Sequence, residues 1–279
     1  MNPNFNSMHR GCKSSVDVFQ NEDGAPVVPL CRVPFNSTRK DLQPAIDLYN
    51  DGQRQQTMRY IHLAQAACPW QSADHFHLRL ILAILQLESN QAHNACHLLQ
   101  LALSWRNQRE KETVLLNALP AITAVEWIAM ANIALHVDDF HTAEVYATRA
   151  IADTSHRPLT GVSNPLHDSR ADAMTVLAAT RLRQQRYREA ELLLKLSQDA
   201  HTKAGDSEQV LIDLSLSIDI ELQNGSVVAA GHLIVQAEHL LLSECAQEKH
   251  CRLDLLRKIV EQRRGVIRRS YRNRRASWN

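Results

Sequence analysis

Apolar residues recur every three or four positions through most of the chain after residue 40, and short polar segments interrupt them at intervals. In RLILAILQLESNQAHNACHLLQLAL, two apolar stripes at helical spacing flank the polar ESNQ. Five such polar segments occur along the chain. They are NDGQ from residue 50, ESNQ from 88, VDDF from 137, RQQRY from 183 and QNGS from 223. Asn, Asp and Gly at such points are typical of turns between antiparallel helices. The pattern predicts five helical hairpins, repeated as in an α-solenoid.

Small residues occupy matching positions in three of these hairpins. An alanine in the first helix is followed twelve residues later by another in the second, as Ala83 and Ala95, Ala131 and Ala143, and Ala178 and Ala190. The fifth hairpin keeps Ala230 but has Ile218 at the first position. A small residue lets two helix backbones approach closely. The alanines are therefore predicted to be contact points between paired helices.

Composition favours an all-α protein. Only 8 of the 279 residues are glycine, and aromatic residues make up 5%, whereas β-sandwiches and barrels need turn glycines and β-forming residues. The abundant Ala, Leu, Gln, Glu and Arg are good helix formers. Hydrophobic residues amount to 44%, so most of the chain can bury a core.

The third hairpin resembles a tetratricopeptide repeat (TPR). The residues that match the pattern W-x2-L-G … A-x3-F-x2-A are Trp127, Met130, Ala131, Ala143, Ala147 and Ala150. The second and fourth hairpins match more weakly, and the first and fifth are degenerate. Longer links after Trp105 and Ala152 depart from the family's period and are similar to the looser repeats of subunits in large assemblies. The resemblance implies a right-handed α-solenoid of about five TPR-like hairpins with a C-terminal capping helix.

Four sections of the chain are predicted. Residues 1–38 hold four of the nine prolines and no lasting apolar periodicity, which indicates a disordered or extended arm whose short run VVPLCRV is a candidate docking segment. The TPR-like repeat domain is expected at 39–245. A helix at 246–270 is expected to cap the open end of the array. A basic tail follows at 271–279.

The TPR resemblance also implies a partner-binding groove lined by the first helix of each hairpin. The inward positions are His77, Leu80, Ile84 and Leu87 in the second hairpin, Val125, Ile128, Asn132 and Leu135 in the third, and Asp172, Thr175, Ala179 and Leu182 in the fourth. Relatives that bind chaperone C-termini clamp a carboxylate there with Lys, Arg and Asn. Only Asn132 fits that pattern, which disfavours a chaperone-tail adaptor.

The groove is apolar toward the second hairpin and polar or acidic toward the fourth and fifth, which suits an amphipathic helix or an extended apolar segment. We therefore expect a non-enzymatic scaffold or adaptor, a subunit of a multiprotein complex, whose partners are other proteins. In this interpretation, Leu80→Asp or Leu135→Asp abolishes partner binding and leaves the protein helical.

Positive charge is concentrated near the C-terminus. From Lys249 onward there are eleven Lys or Arg residues and two acidic residues, although the net charge of the chain is +1. The predicted basic tail residues are Arg263, Arg264, Arg268, Arg269, Arg272, Arg274 and Arg275, and RRAS makes Ser277 a candidate phosphosite. Such a segment is either a solvated tail or a contact for nucleic acid, an acidic protein or an import receptor. The alternative function is a nucleic-acid-associated regulator that contacts phosphate through these arginines.

Residues typical of catalysis or metal binding are scarce. HNACH places His93 and His97 one helical turn apart, a spacing that can bind zinc, but a third ligand is not near in sequence. Phosphate-binding glycine loops and nucleophile-elbow motifs do not occur. We therefore expect no metal, no cofactor and no enzymatic activity.

The expected location is the cytoplasm, with the nucleus as the alternative. Six scattered cysteines are typical of reduced thiols, and the first residues lack the apolar stretch of a secretory signal. The least charged window, residues 117–137, contains Pro120 and Glu126 and is interpreted as a buried helix, not a membrane span.

Overall fold

The computed structural model of the protein describes residues 30–35, 40–69, 72, 74–112, 121–155, 169–244 and 251–276. Within these ranges all secondary structure is helical, and a short 3₁₀ turn at Lys40–Leu42 leads into eleven α-helices. They are α1 (Gln43–Asn50), α2 (Arg54–Ala67), α3 (Asp74–Glu88), α4 (Ala92–Glu112), α5 (Ala124–His136), α6 (Phe140–Ser155), α7 (Ser169–Arg183), α8 (Tyr187–Ala204), α9 (Ser207–Gln223), α10 (Val227–Glu244) and α11 (Cys251–Ala276). The all-α prediction is confirmed for this part of the chain.

Consecutive helices pack as five hairpins followed by one further helix. α1 packs on α2, α3 on α4, α5 on α6, α7 on α8 and α9 on α10, and each hairpin also packs on the next. The first helices α3, α5, α7 and α9 contact one another in series, and α11 packs on both α9 and α10. The arrangement is consistent with a helical solenoid in which the first helices form an inner layer.

Each hairpin turns through one residue with a left-handed backbone. These residues are Gly52, Asn90, Asp138, Gln185 and Gly225, with φ between 59° and 75°. The N–H of the following residue returns to a carbonyl five positions earlier, at 2.8–3.0 Å in all five turns. This hydrogen bond closes the end of a helix in the Schellman arrangement. The five turns predicted from the sequence are confirmed, including RQQRY, where Gln185 adopts a conformation more usual for Gly or Asn.

The alanines of the matching register lie in the interior. Ala83, Ala95, Ala131, Ala143, Ala178 and Ala190 have no exposed surface, and the helices that carry each pair pack on one another. Ile218 and Ala230 in the last hairpin are equally buried. The register therefore marks interior positions of paired helices, where a small side chain permits close approach.

The inner helices are buried on nearly all sides. Residues 80–85 of α3 are completely enclosed, and residues 128–135 of α5 are each at most 4% exposed. The second helices are buried on one side only, and α2, α8 and α10 carry exposed leucine or valine. Because a helix that is apolar on all sides belongs in an interior, the inner layer forms a core that is continuous through the hairpins.

The helices can be compared with three sequence predictions: the tail, the arm and the long links. α11 continues to Ala276, so it includes most of the segment predicted as a tail at 271–279. The predicted arm at 1–38 lies outside the described residues except for 30–35, which are non-helical. The long links predicted after Trp105 and Ala152 begin as helix, since α4 reaches Glu112 and α6 reaches Ser155.

Candidate functional site

The twelve residues predicted to line a groove lie on α3, α5 and α7, and most of them are buried. The ten that are at most 7% exposed are Leu80, Ile84, Leu87, Ile128, Asn132, Leu135, Asp172, Thr175, Ala179 and Leu182. His77 and Val125 are half-buried. These residues lie on the inner layer, but most of their side chains are not accessible to solvent.

Residues 30–35 form a non-helical segment that packs on this inner layer, and we refer to it as the inner segment. Its Leu30, Cys31 and Val33 are at most 6% exposed and belong to the hydrophobic core. The backbone N–H of Leu30 donates to Oδ1 of Asn132 over 3.4 Å, and Nδ2 of Asn132 donates to Sγ of Cys31 over 3.2 Å. Asn132, the polar residue singled out in the third hairpin, therefore binds the inner segment.

Arg32 anchors the inner segment to the start of α9. Its Nη2 atom donates to both carboxylate oxygens of Asp206, at 2.6 and 2.8 Å, and Oε2 of Glu208 lies 3.9 Å away. Asp206 also caps α9 by accepting the backbone N–H of Gln209 at 3.3 Å. Burial raises the pKa of Asp206, and the charge of Arg32 opposes that shift. Arg32 thus favours the ionised form of this buried carboxylate.

The C-terminal end of the inner segment reaches α1. The ring of Phe35 meets the ring of Tyr49 edge to face, with 5.6 Å between centroids. The hydroxyl of Tyr49 donates to Oε1 of Glu88 at 2.5 Å, and Nε of Arg54 pairs with the other oxygen of Glu88 at 3.1 Å. The inner segment therefore contacts α1, α5 and the start of α9, three regions that are far apart in the sequence.

Two of the predicted groove residues belong to a buried ionic cluster between α7, α8 and α9. His201 has no exposed surface; its Nδ1 lies 2.8 Å from Oδ2 of Asp213, and its Nε2 lies 3.2 Å from Oδ1 of Asp172. Thr175 donates to the other oxygen of Asp213 at 2.7 Å. Because both ring nitrogens of His201 bind carboxylates, the cluster links α8 to α7 through Asp172 and to α9 through Asp213.

The two carboxylates determine the charge of His201. Burial alone would lower the pKa of His201, but the hydrogen bonds and charges of Asp172 and Asp213 outweigh it and raise the pKa to about 9. Burial raises the pKa of Asp213, although its hydrogen bond to His201 opposes the shift. His201 is therefore positively charged at neutral pH inside the core.

Sequence reasoning did not identify Arg32, Asp206 or His201. Their partners lie 174 residues away for Arg32, and 12 and 29 residues away for His201, so no local pattern marks them. The one available signal was VVPLCRV, an apolar run with a single arginine in an otherwise polar arm. The apolar content indicated docking, but it did not indicate where.

Arg263 differs from the other arginines predicted to form the basic tail. It is 8% exposed, and its Nε donates to Oδ1 of Asp219, a residue of α9 that is 2% exposed, at 2.8 Å. Arg264 is exposed and lies 3.1 Å from Glu238. Arg268, Arg269 and Arg272 are exposed along α11, Arg274 and Arg275 belong to α11 without described side chains, and Ser277 lies outside the described residues. Arg263 is thus an interior anchor of α11, not part of an exposed basic surface.

α10 presents a separate apolar stripe to solvent. Val228, Val235 and Leu242 are 58–76% exposed and lie seven residues apart, which places them on one side of the helix. A shallow cavity of about 630 Å³ is bordered by Val228 and His232 at the start of this stripe. This surface lies on the outer layer and does not include residues of the inner segment.

His93 and His97, whose spacing suggested zinc, are exposed on α4. Among the described residues, no group of three His, Cys, Asp or Glu side chains has an arrangement that could hold a metal ion. The pair therefore offers no argument for a metal centre.

Comparison with protein-family models gives no match for the chain, and comparison with curated proteins gives no significant similarity. None of the described helices combines the length and the apolar character that crossing a membrane requires. The contacts of the inner layer are therefore the main basis for inferring function.

Proposed function

We propose that the protein is a non-enzymatic scaffold or adaptor, a subunit of a multiprotein complex, that binds a helical or extended segment of another protein along its inner helices. The observation that carries this proposal is the docking of the inner segment through apolar side chains, one backbone hydrogen bond and one arginine. A surface that accepts such a segment from within the chain has the chemistry to accept one from another chain.

The contacts of Asn132 and Asp206 suggest how a partner is recognised. Main-chain hydrogen bonds commonly give affinity for extended segments, and side-chain pockets give specificity. Asn132 accepts a backbone N–H and therefore recognises the main chain of whatever segment lies there. Asp206, at 5% exposure, requires a cationic partner, because an unpaired buried charge is strongly unfavourable.

We propose that the hairpins form a TPR-like solenoid of about five repeats, with the right-handed sense that the resemblance implies. The repeat assignment is supported by the buried alanine register, the left-handed residue in every hairpin turn and the serial packing of the first helices. α11, which packs on the last hairpin, supplies the cap that the end of such an array needs.

We propose a non-catalytic role for the protein, and His201 itself is structural, since both of its ring nitrogens bind buried carboxylates. A cytoplasmic location, with the nucleus as the alternative, agrees with Cys31, Cys68 and Cys96, which are thiols and not disulfides.

The proposal is tested by affinity purification of the full-length chain as wild type and as Asp206→Asn. Asparagine is as good a helix cap as aspartate, so this variant removes the charge that binds arginine and keeps α9 capped. Glu191→Gln, at an exposed carboxylate on the outer helix α8, is the matched control. We expect at least one stoichiometric partner that is lost from Asp206→Asn and kept by Glu191→Gln. Partners that are retained equally by both variants would contradict binding at the inner layer.

A second candidate function, contact with nucleic acid, is favoured by the exposure of Arg268, Arg269 and Arg272 along α11. Phosphate binding by arginine weakens steeply as salt rises. We expect single-stranded RNA to bind the full chain at about 50 mM salt and to lose about tenfold or more in affinity at about 200 mM if these arginines contact phosphate. Reversing all three charges to glutamate should abolish that binding. Equal binding by the reversed variant would eliminate this candidate.

A further inference from the structure

We propose that the inner segment is a displaceable internal ligand, and that the partner is an extended protein segment with the same chemistry. That chemistry is an arginine flanked on both sides by aliphatic residues, as Arg32 is flanked by Leu30 and Val33. This inference rests on the proposed function, because it names the class of segment that the inner layer binds and the contact that regulates access to it.

The inner segment is held by side chains and not by its own secondary structure. Within it, the one backbone hydrogen bond described runs from the N–H of Phe35 to the carbonyl of Val33 at 2.7 Å. Its described attachments to the helices include three buried side chains, the contacts of Asn132, the ion pair of Arg32 and the ring contact between Phe35 and Tyr49. An element that is attached through side chains, outside the backbone hydrogen bonds of the helices, can open without unfolding the rest of a protein. The inner segment can therefore leave while the hairpins stay packed.

Charge determines what can take its place. When Arg32 leaves, the buried carboxylate of Asp206 loses the guanidinium that binds both of its oxygens and keeps its backbone contact with Gln209. A carboxylate of such low exposure favours a cation. Arginine fits better than lysine because its planar group can donate to both oxygens of one carboxylate. The inner layer should therefore select segments that contain arginine.

Tethering sets the affinity that a partner needs. A segment attached through a short linker acts at an effective concentration on the order of millimolar, and only residues 36–39 separate Phe35 from the 3₁₀ turn at Lys40. A free peptide with the same contacts competes only at similar concentrations. A natural partner must therefore add contacts beyond those of the inner segment.

Cys31 gives a direct measure of docking in the full chain. The residue is 3% exposed when the inner segment is docked, so the rate at which N-ethylmaleimide alkylates its thiol reports how often the segment leaves. Cys96 in α4 is half-buried and reports the integrity of the hairpins. Mass spectrometry of the digested protein separates the two rates.

The first arm of the experiment changes the ion pair. We expect Arg32→Glu and Asp206→Asn each to accelerate alkylation of Cys31 about tenfold or more, because removing one partner of a buried pair favours the open state. Arg32→Lys, which keeps the charge but loses the planar group, should accelerate alkylation less than Arg32→Glu does. Alkylation of Cys96 and the circular dichroism spectrum should not change. Unchanged protection of Cys31 in Arg32→Glu would overturn the proposal.

The second arm supplies the ligand from outside. The peptide VVPLARVPFN, which repeats residues 27–36 with alanine in place of Cys31, is added to wild-type protein at concentrations up to several millimolar. We expect a saturable increase in Cys31 alkylation with this peptide and none with VVPLAEVPFN, in which glutamate replaces the arginine. Equal effects of the two peptides, or no effect of either, would overturn the proposal and identify the inner segment as a permanent part of the core.

The two proposals can fail separately. If Cys31 responds to the variants and to the arginine peptide but Asp206→Asn keeps every cellular partner, the inner segment is displaceable and the proposed binding function is wrong. If Asp206→Asn loses a partner while Cys31 stays protected from alkylation in all variants, the binding function stands and the displaceable ligand is wrong.

Discussion

At the residue scale, the interior of this protein contains charged groups that depend on particular partners. Burial raises the pKa values of Asp206, Asp213 and Asp219, so each carboxylate needs a nearby cation to remain ionised. Those cations are Arg32, His201 and Arg263. Because an unpaired ion in an interior is strongly unfavourable, each partner has a measurable effect on the free energy of unfolding.

His201 should make that free energy depend on pH. Its pKa is about 9 in the folded protein, against 6.5 for an unperturbed histidine, so the stabilisation is complete below pH 6.5 and is lost as pH rises toward 9. We expect the free energy of unfolding to fall by about 3 kcal/mol between pH 6.5 and 9 as His201 loses its proton. Urea unfolding at pH 6, 7, 8 and 9 measures it. His201→Gln should be less stable at pH 6, and it should lack the part of the decline between pH 6.5 and 9 that comes from deprotonation of His201.

His136 is the matched control. It is half-buried, its Nδ1 donates to the carbonyl of Asn132 at 2.8 Å, and desolvation lowers its pKa to about 4. Its effect on stability has the opposite pH dependence to that of His201. The neutral form of His136 stabilises the fold above pH 6.5, and this stabilisation is lost as pH falls toward 4. His136→Gln should therefore keep the loss of stability between pH 6.5 and 9. If it removed that loss, the assignment to His201 would be wrong.

The buried alanines should tolerate enlargement poorly. We expect Ala143→Leu to lower the free energy of unfolding by about 1–3 kcal/mol, because extra carbon atoms force apart two helices that already touch. Ala152→Leu is the control, since Ala152 is exposed on the same helix and its replacement should change stability by less than about 0.5 kcal/mol. Thermal or urea unfolding compares the two. Equal effects would contradict the alanine register as a packing device.

At the element scale, turns and helix ends follow local signals, whereas the attachment of α11 does not. The left-handed residue in each hairpin turn follows from short polar segments that the sequence displays. The amphipathic pattern of α11 likewise predicts a helix. Its seven neighbouring arginines look alike in sequence, but packing on α9 buries Arg263 and leaves Arg264 and Arg268 exposed.

This difference predicts unequal effects of two adjacent substitutions. Arg263→Ala leaves Asp219 charged or forces it to take up a proton in the interior, so we expect a loss of about 3–5 kcal/mol. Arg264→Ala removes an exposed ion pair with Glu238, and such pairs contribute at most about 1 kcal/mol. Urea unfolding of both variants, with hydrogen exchange in α11, measures the effects. Similar losses in the two would show that α11 is not anchored through Arg263.

At the scale of the whole molecule, the inner layer is a shared core and not an open groove. Leu80 and Leu135 are 0% and 4% exposed, which changes the sequence-based expectation that aspartate at either position spares the fold. We now expect Leu80→Asp to destabilise the whole array by more than about 4 kcal/mol, because it buries a charge without a partner. Leu63→Asp, at a residue 71% exposed on α2, should leave the structure unchanged. Circular dichroism and urea unfolding distinguish them, and a stable, helical Leu80→Asp protein would contradict this account.

The sequence by itself determined the helices, their pairing into hairpins, the turns between them and the buried alanine register. Each of these follows from contacts between residues close in the chain, through hydrophobic periodicity, backbone preference and side-chain size. Only the tertiary structure decided what lies against the inner helices and which arginine is buried. The inner segment meets Asn132 across 102 residues and Asp206 across 174. Contacts over such separations depend on how the hairpins stack in space, and local sequence patterns do not predict that stacking.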